Sequence, residues 1–124
     1  MTSSRPTIFI VEDSPSCQKY YADILKEQVT IVSARSLTEA NEKWDSIQEI
    51  ALVVMDGCID NRDRPDTVPL IQKIRETFSG PMIAASSSVD YRKMLMRAGC
   101  SHEAAKPLVP AKVLELLGLT TATT

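Results

Sequence analysis

At 124 residues the chain has the length of one domain, and its 44% apolar and 24% charged composition is that of an ordinary globular protein. The formal net charge of -2 leaves no electrostatic footprint for nucleic acid or anionic lipid, although basic protein partners stay open. The longest apolar run, Ile50 to Met55, is far too short to span a bilayer, and the start Met1-Thr2-Ser3-Ser4-Arg5 has no apolar signal core behind it. A cytoplasmic protein without membrane insertion is expected. Cys17, Cys58 and Cys100 are odd in number and widely spaced, which argues against a disulfide framework or a structural zinc site.

Strand-like and helix-like stretches alternate five times along the chain, the pattern of an α/β protein with a parallel sheet. Thr7 to Val11 reads as the first strand, and Cys17, Tyr20, Tyr21, Ile24 and Leu25 follow at helical spacing. Val29 to Val32 is a short β-branched second strand. Ser36-Leu37-Thr38-Glu39 has the form of a capping box, after which Leu37, Ala40, Trp44 and Ile47 mark one face of a helix. Trp44 is thereby a packing residue. Ala51 to Met55 is the near-continuous apolar run of a central strand covered on both faces, followed by a helix from Val68 to Phe78 that ends at Ser79-Gly80-Pro81. Met82 to Ala85 reads as the fourth strand. Tyr91, Met94 and Leu95 give the next helix an apolar face that Gly99 stops, and a weak fifth strand covers roughly Ser101 to Ala105. The last helix opens near Pro110 and ends at Gly118. The expected organisation is one domain over residues 1–119 and a disordered tail over 120–124, which leaves no room for a second domain after the last helix.

Two of these strands stop on acid: Ile8-Phe9-Ile10-Val11 runs into Glu12-Asp13, and Leu52-Val53-Val54-Met55 runs into Asp56. Right-handed crossovers restrict how five such units can be arranged, and the flavodoxin-like order 2-1-3-4-5 is one common solution. In that order strands one and three are neighbours at the topological switch point, where an open α/β sheet binds its ligand. Glu12, Asp13 and Asp56 then converge in one crevice. Unit charges ~4 Å apart repel by roughly 4 kcal/mol at an effective dielectric near 20, so the cluster asks for a cation. Ser86-Ser87-Ser88 after strand four and Lys106-Pro107 after strand five open onto the same rim.

At these positions the chain resembles the receiver domains of two-component response regulators. Val11-Glu12-Asp13-Ser14, Val54-Met55-Asp56, Ala84-Ala85-Ser86 and Ala105-Lys106-Pro107 stand in that family's order and spacing over nearly the whole chain. The resemblance implies a flavodoxin-like (βα)5 fold in which Asp56 takes a phosphoryl group from a sensor histidine kinase or phosphotransfer protein and signals to a downstream protein partner. It also implies Mg2+ held by Asp13, Asp56, Glu12 through water and the Cys58 backbone carbonyl. Lys106 would neutralise the phosphoryl group, Ser86 would hydrogen-bond one of its oxygens, and Ser87 would line the same phosphate site. The Lys106-Pro107 peptide is implied to be cis. Such a protein catalyses at most its own phosphorylation and dephosphorylation, and is not a conventional turnover enzyme.

Departures from the family pattern temper this reading. The stretch between Asp56 and Ile74 is longer than usual, Asp60 stands near the position of the usual proline, and Gly57 to Pro65 mixes Asp60 and Asp63 with Arg62 and Arg64. Glu103 stands at the switch position, where the family has a Tyr or Phe that swings inward with the Ser or Thr. Burying an unpaired glutamate is strongly unfavourable, so Glu103 is expected to stay solvated or to pair with a base. The alternative is a receiver-like interaction module with weak or no phosphorylation. An aspartyl-phosphate phosphatase of the haloacid dehalogenase type fits poorly, because Asp56-Gly57-Cys58 offers Cys where that chemistry needs a second acid. His102 is expected at the surface or at a strand edge.

Overall fold

A computed structural model describes residues 5–61 and 63–119. The elements alternate in chain order as β1 (Thr7–Val11), α1 (Pro15–Leu25), β2 (Thr30–Ala34), α2 (Leu37–Ser46), β3 (Ile50–Asp56), α3 (Val68–Arg75), β4 (Met82–Ala85), α4 (Val89–Ala98), β5 (His102–Ala104) and α5 (Val109–Leu117), with a 3-10 turn at Lys106–Leu108. All strand pairs are parallel and the order is β2-β1-β3-β4-β5. This is the flavodoxin-like doubly wound sheet expected from the alternation. The proposed tail, Thr120 to Thr124, and Arg62 lie outside the described residues.

Alternation of side chains along each strand divides the core in two. Ile8, Ile10, Leu52, Val54 and Ile83 face Tyr21 and Leu25 of α1 and Val109, Val113 and Leu114 of α5. Phe9, Val11, Val53, Met55 and Ala84 face the other way, against Ala40 of α2, Leu70, Ile71 and Ile74 of α3 and Leu95 of α4. Residues 52 to 56 are all buried, as a central strand requires. Trp44 packs as expected, its ring 5.7 Å from Phe9 and edge-on to Phe78 at 5.9 Å. The helical face expected of Tyr20 and Ile24 narrows, because both are 41% exposed, while Tyr21 and Leu25 of α1 are buried in the core and Cys17 packs against it.

Local chemistry explains the element ends. The Ser36 hydroxyl accepts from the Glu39 N–H at 3.0 Å, and the Glu39 carboxylate accepts from the Arg35 N–H at 2.7 Å, one residue earlier than a strict capping box. Ser14 and Ser88 cap α1 and α4 in the same way through the N–H groups of Cys17 and Tyr91. β2 begins at Thr30 and runs on to Ala34, later than its β-branched residues suggested, since Thr7 to Val11 pair residue by residue with Thr30 to Ala34. α3 stops at Arg75, short of Phe78, where the Arg75 guanidinium turns back onto the Phe78 and Gly80 carbonyls at 3.0 and 2.7 Å.

Gly99 ends α4 at φ 145°, and a Cβ there would come within 3.0 Å of the Arg75 and Ile71 side chains. Gly118 ends α5 at φ 72° with open space around it. Gly99→Ala should therefore cost about 2 kcal/mol or more in urea unfolding and Gly118→Ala only about 1 kcal/mol, strain alone being shared by the two. Equal losses would remove the steric part of this account.

Candidate functional site

β1 and β3 pair with Val11 opposite Met55, so the next residues, Glu12 and Asp56, come side by side at the carboxyl edge of the sheet. Glu12 is 0% and Asp56 4% exposed. One carboxylate oxygen from each of Glu12, Asp13 and Asp56 lies within 4.8 Å of the others. From the end of β5 Lys106 reaches across, its Nζ 3.1 Å from Glu12 Oε1 and 3.3 Å from Asp56 Oδ2. The crevice, about 300 Å3 in volume, is lined by Asp13, Asp56, Cys58, Ser86, Ser87, Ser88, Tyr91 and Lys106. A larger depression of about 580 Å3 near Trp44, Glu49 and Phe78 opens at the far end of β3, away from this cluster. Convergent charge, rather than size, therefore marks the candidate site.

Burial and the neighbouring Glu12 charge push the Asp56 carboxyl up to about 7, against the pull of Lys106. Burial opposes charge on Glu12 as well, but the Ser14 N–H at 3.1 Å and the Lys106 ammonium outweigh it and hold Glu12 below its ordinary value. The same two carboxylates raise Lys106 in spite of its partial burial. The site thus holds one firmly ionised acid, one acid poised near neutrality and a firm cation. The donor set is oxygen only and its negative charge exceeds that of Lys106, which fits a hard divalent ion such as Mg2+.

Supporting contacts fix each side chain. Asp56 Oδ1 accepts from the Gly57 N–H at 2.7 Å, and the buried Thr67 hydroxyl donates to the Asp56 carbonyl at 2.8 Å. Gln18 of α1 donates to the Glu12 and Ala34 carbonyls at 3.0 and 3.3 Å. Tyr20 donates to the Pro107 carbonyl at 2.7 Å and so holds the turn that carries Lys106. The loop after Asp56 is organised by Asp66, whose carboxylate accepts from the N–H groups of Ile59, Asp60 and Asn61 at 2.7–2.8 Å. Tyr91 of α4 donates to the Asp63 carbonyl at 2.9 Å and ties that loop to the crevice wall. Sequence reasoning missed Thr67, Gln18, Asp66 and Tyr91 in these roles. Only the Asp66-Thr67 pair before Val68, an acid and a hydroxyl ahead of a helix, carried any local signal, and it pointed to capping.

One expectation needs correction. The Lys106-Pro107 peptide is trans, as is every described peptide bond. Pro107 is the second residue of the 3-10 turn Lys106–Leu108, where its fixed φ is suited and no N–H is needed, and Lys106 reaches both carboxylates from this geometry. Glu103 behaves as expected, half solvated and paired with a base: Arg92 Nε donates to its Oε1 at 3.0 Å. Cys58 lies in the crevice lining, whereas burial pushes the thiols of Cys17 and Cys100 up to about 11 and 12, so these two act as inert fillers. His102 opens the edge strand β5.

This sheet order with an acidic crevice at its switch point defines a receiver-type α/β domain. The chain belongs to the response regulator receiver domain family, whose model matches residues 8–118. Solved structures agree in fold. A two-component response regulator from Clostridium difficile is 21% identical with a TM-score of 0.76, over 92% of this chain and 97% of that one. A CheY-like receiver domain protein from Methanospirillum hungatei JF-1 is 22% identical with a TM-score of 0.73, over 93% and 92%. The BeF3-activated N-terminal receiver domain of Klebsiella pneumoniae RstA is 24% identical with a TM-score of 0.72, over 90% and 95%. No curated protein matches the chain. None of the described helices is long and apolar enough to cross a membrane.

A carboxyl whose pKa rises on folding holds its proton more tightly in the folded state, so stability falls as pH climbs from ~4 towards about 7. In EDTA, Asp56→Asn should therefore stabilise the protein at pH 8 by on the order of 2 kcal/mol and by far less at pH ~4.5, as read from urea titrations. An equal effect at both pH values would contradict the raised carboxyl.

Proposed function

We propose that the chain is a phosphoacceptor receiver in a two-component phosphorelay, with Asp56 as the nucleophile. The observation that carries this reading is the ammonium of Lys106 held between two buried carboxylates, 3.1 Å from one and 3.3 Å from the other, beside the Ser86 to Ser88 run. An Asp56 carboxylate oxygen attacks the phosphorus of a phosphohistidine. The P–O bond forms as the N–P bond breaks, and the imidazole leaves with the electron pair. Attack of water on the same phosphorus later releases phosphate and restores the carboxylate. Lys106 is placed to balance charge on the transferred group as a point charge, and the Ser86 hydroxyl to donate to one of its oxygens. Ser87, exposed at the mouth, offers a second hydroxyl. The protein's contribution is position and electrostatics, which is what phosphoryl transfer requires.

Glu12, Asp13 and Asp56, with the Cys58 carbonyl, are the residues that would hold Mg2+. When bound, the ion would supply charge neutralisation that keeps Asp56 ionised and draws charge from the phosphoryl oxygens. The donor would be a sensor histidine kinase or a phosphotransfer protein, and the reader a downstream protein, in the cytoplasm. Residues 1–119 would form the receiver unit. A second reading, an interaction module that does not need phosphate, draws support from the Arg92 pairing of Glu103 at the switch position, which leaves no aromatic ring to swing inward.

Acetyl phosphate with Mg2+ should shift the wild-type protein on a Phos-tag gel and leave Asp56→Asn unshifted, and EDTA should prevent the shift. A wild-type protein that stays unlabelled would favour the second reading. Mg2+ at 100 times its dissociation constant should raise unfolding stability by about 2.7 kcal/mol, a gain that Asp13→Asn should largely remove. Identical melting curves in EDTA and in excess Mg2+ would rule out the metal site. Glu103→Tyr should still be labelled at Asp56, with at most a few-fold loss, because position 103 lies outside the crevice lining and reaches it only through Arg92.

A further inference from the structure

Arg92, in α4, carries a full charge on a side chain only 15% exposed. Its Nη1 donates to the Ser86 carbonyl at 2.6 Å and its Nε to Glu103 Oε1 at 3.0 Å. One rigid guanidinium thus joins the loop after β4 to the edge strand β5, and its planar fork fixes the two acceptors relative to each other. The rest of Ser86 is held as well. Its N–H donates to the Ala104 carbonyl at 3.4 Å, and its Oγ accepts from the Ser88 N–H at 3.1 Å. What Ser86 still has to offer is its hydroxyl proton, at the wall of the crevice that contains Asp56 and Lys106. A solvated Arg–Glu pair is worth little, but here the arginine is largely covered and bonded to main chain at the site's edge.

We propose that Arg92 is a positioning residue for the acceptor site: it pins the Ser86 carbonyl so that the Ser86 hydroxyl is aimed into the crevice, and Glu103 anchors the guanidinium. This rests on the phosphoacceptor reading of Asp56. Coupling of this kind is reciprocal, so a group on Asp56 that engages Ser86 also changes the hold of Arg92 on Glu103. The state of the crevice is thereby carried to the outer face of β5 by an ion pair instead of an aromatic side chain. A lysine at position 92 would not serve, since a single ammonium lacks the fork that spans both acceptors.

The test uses the whole chain and beryllofluoride with Mg2+ as the phosphoryl probe, with affinity measured by calorimetry. Arg92→Ala should weaken probe binding about five- to tenfold and Glu103→Gln about two- to fivefold, while Arg92→Lys should fail to restore it. In a Ser86→Ala background, Arg92→Ala should cause no further loss, because its effect passes through Ser86. Affinity for Mg2+ alone should stay at the wild-type value in all these variants. Wild-type probe affinity in Arg92→Ala, an equal loss with and without the Ser86 hydroxyl, or a parallel loss of Mg2+ affinity would each overturn the proposal. If Arg92→Ala does not fold, Glu103→Gln, at a half-exposed side chain, carries the same comparison. A wild-type chain that binds Mg2+ but neither beryllofluoride nor phosphate from acetyl phosphate would overturn the phosphoacceptor reading and this inference with it. Normal wild-type binding with an indifferent Arg92 would overturn this inference alone.

Discussion

Two carboxylates buried beside one ammonium set the terms for the rest of this molecule. Glu12 and Asp56 are almost wholly withdrawn from water, yet the β1–β3 register forces them together. Burying charge is costly unless it is paired. Lys106, drawn from the far end of the chain, meets this cost in part by lying within 3.3 Å of both. Its reach depends on β5 being in the sheet, on the 3-10 turn that follows, and on the Tyr20 hydroxyl holding the Pro107 carbonyl. The sheet order, the ends of its strands and the packing of α1 are thus tied to a single charge balance.

The balance is deliberately incomplete. With one ammonium shared by two buried acids, burial and the Glu12 charge leave Asp56 poised near neutral pH while Glu12 is held ionised. An acid in that state responds strongly to any added cation, which is the physical basis for reading the crevice as a site where charge arrives and leaves. Thr67 and Gly57 fix the Asp56 backbone and side chain, whereas Ser87 is solvent-exposed and the longer loop is moored through Asp66 and Tyr91.

The outer face of β5 differs from the family pattern in a consistent way. A glutamate at position 103 could not swing into an apolar pocket, and it does not have to, because Arg92 meets it at the surface and also grips the Ser86 carbonyl. Where the resemblance implies an aromatic ring, this chain has a charged pair.

How much of this was legible in the sequence follows from the range of each interaction. Strand ends could be read because apolar runs stop abruptly at Glu12 and Asp56, and helix ends because Ser36, Ser88, Gly99 and Gly118 act on their own neighbours. Both signals are local, and sheet order followed from the handedness of crossovers, so fold and crevice could be placed by residue number. The partners of those residues could not. Thr67 meets Asp56 across 11 positions, Tyr91 meets Asp63 across 28 and Tyr20 meets Pro107 across 87, and no periodicity links them. The base paired with Glu103 was equally hidden, since Arg92 is one of several basic residues along α4 and only the packing of that helix beside β5 selects it. The trans peptide at Pro107 belongs with these: whether proline there is cis or trans depends on the turn the tertiary structure builds, which the dipeptide alone does not specify. Sequence by itself determined which chemical groups stand at the rim of the sheet, because that is a matter of where strands end. Tertiary structure decided their protonation and their partners, because these depend on burial and on distances between segments that are remote along the chain.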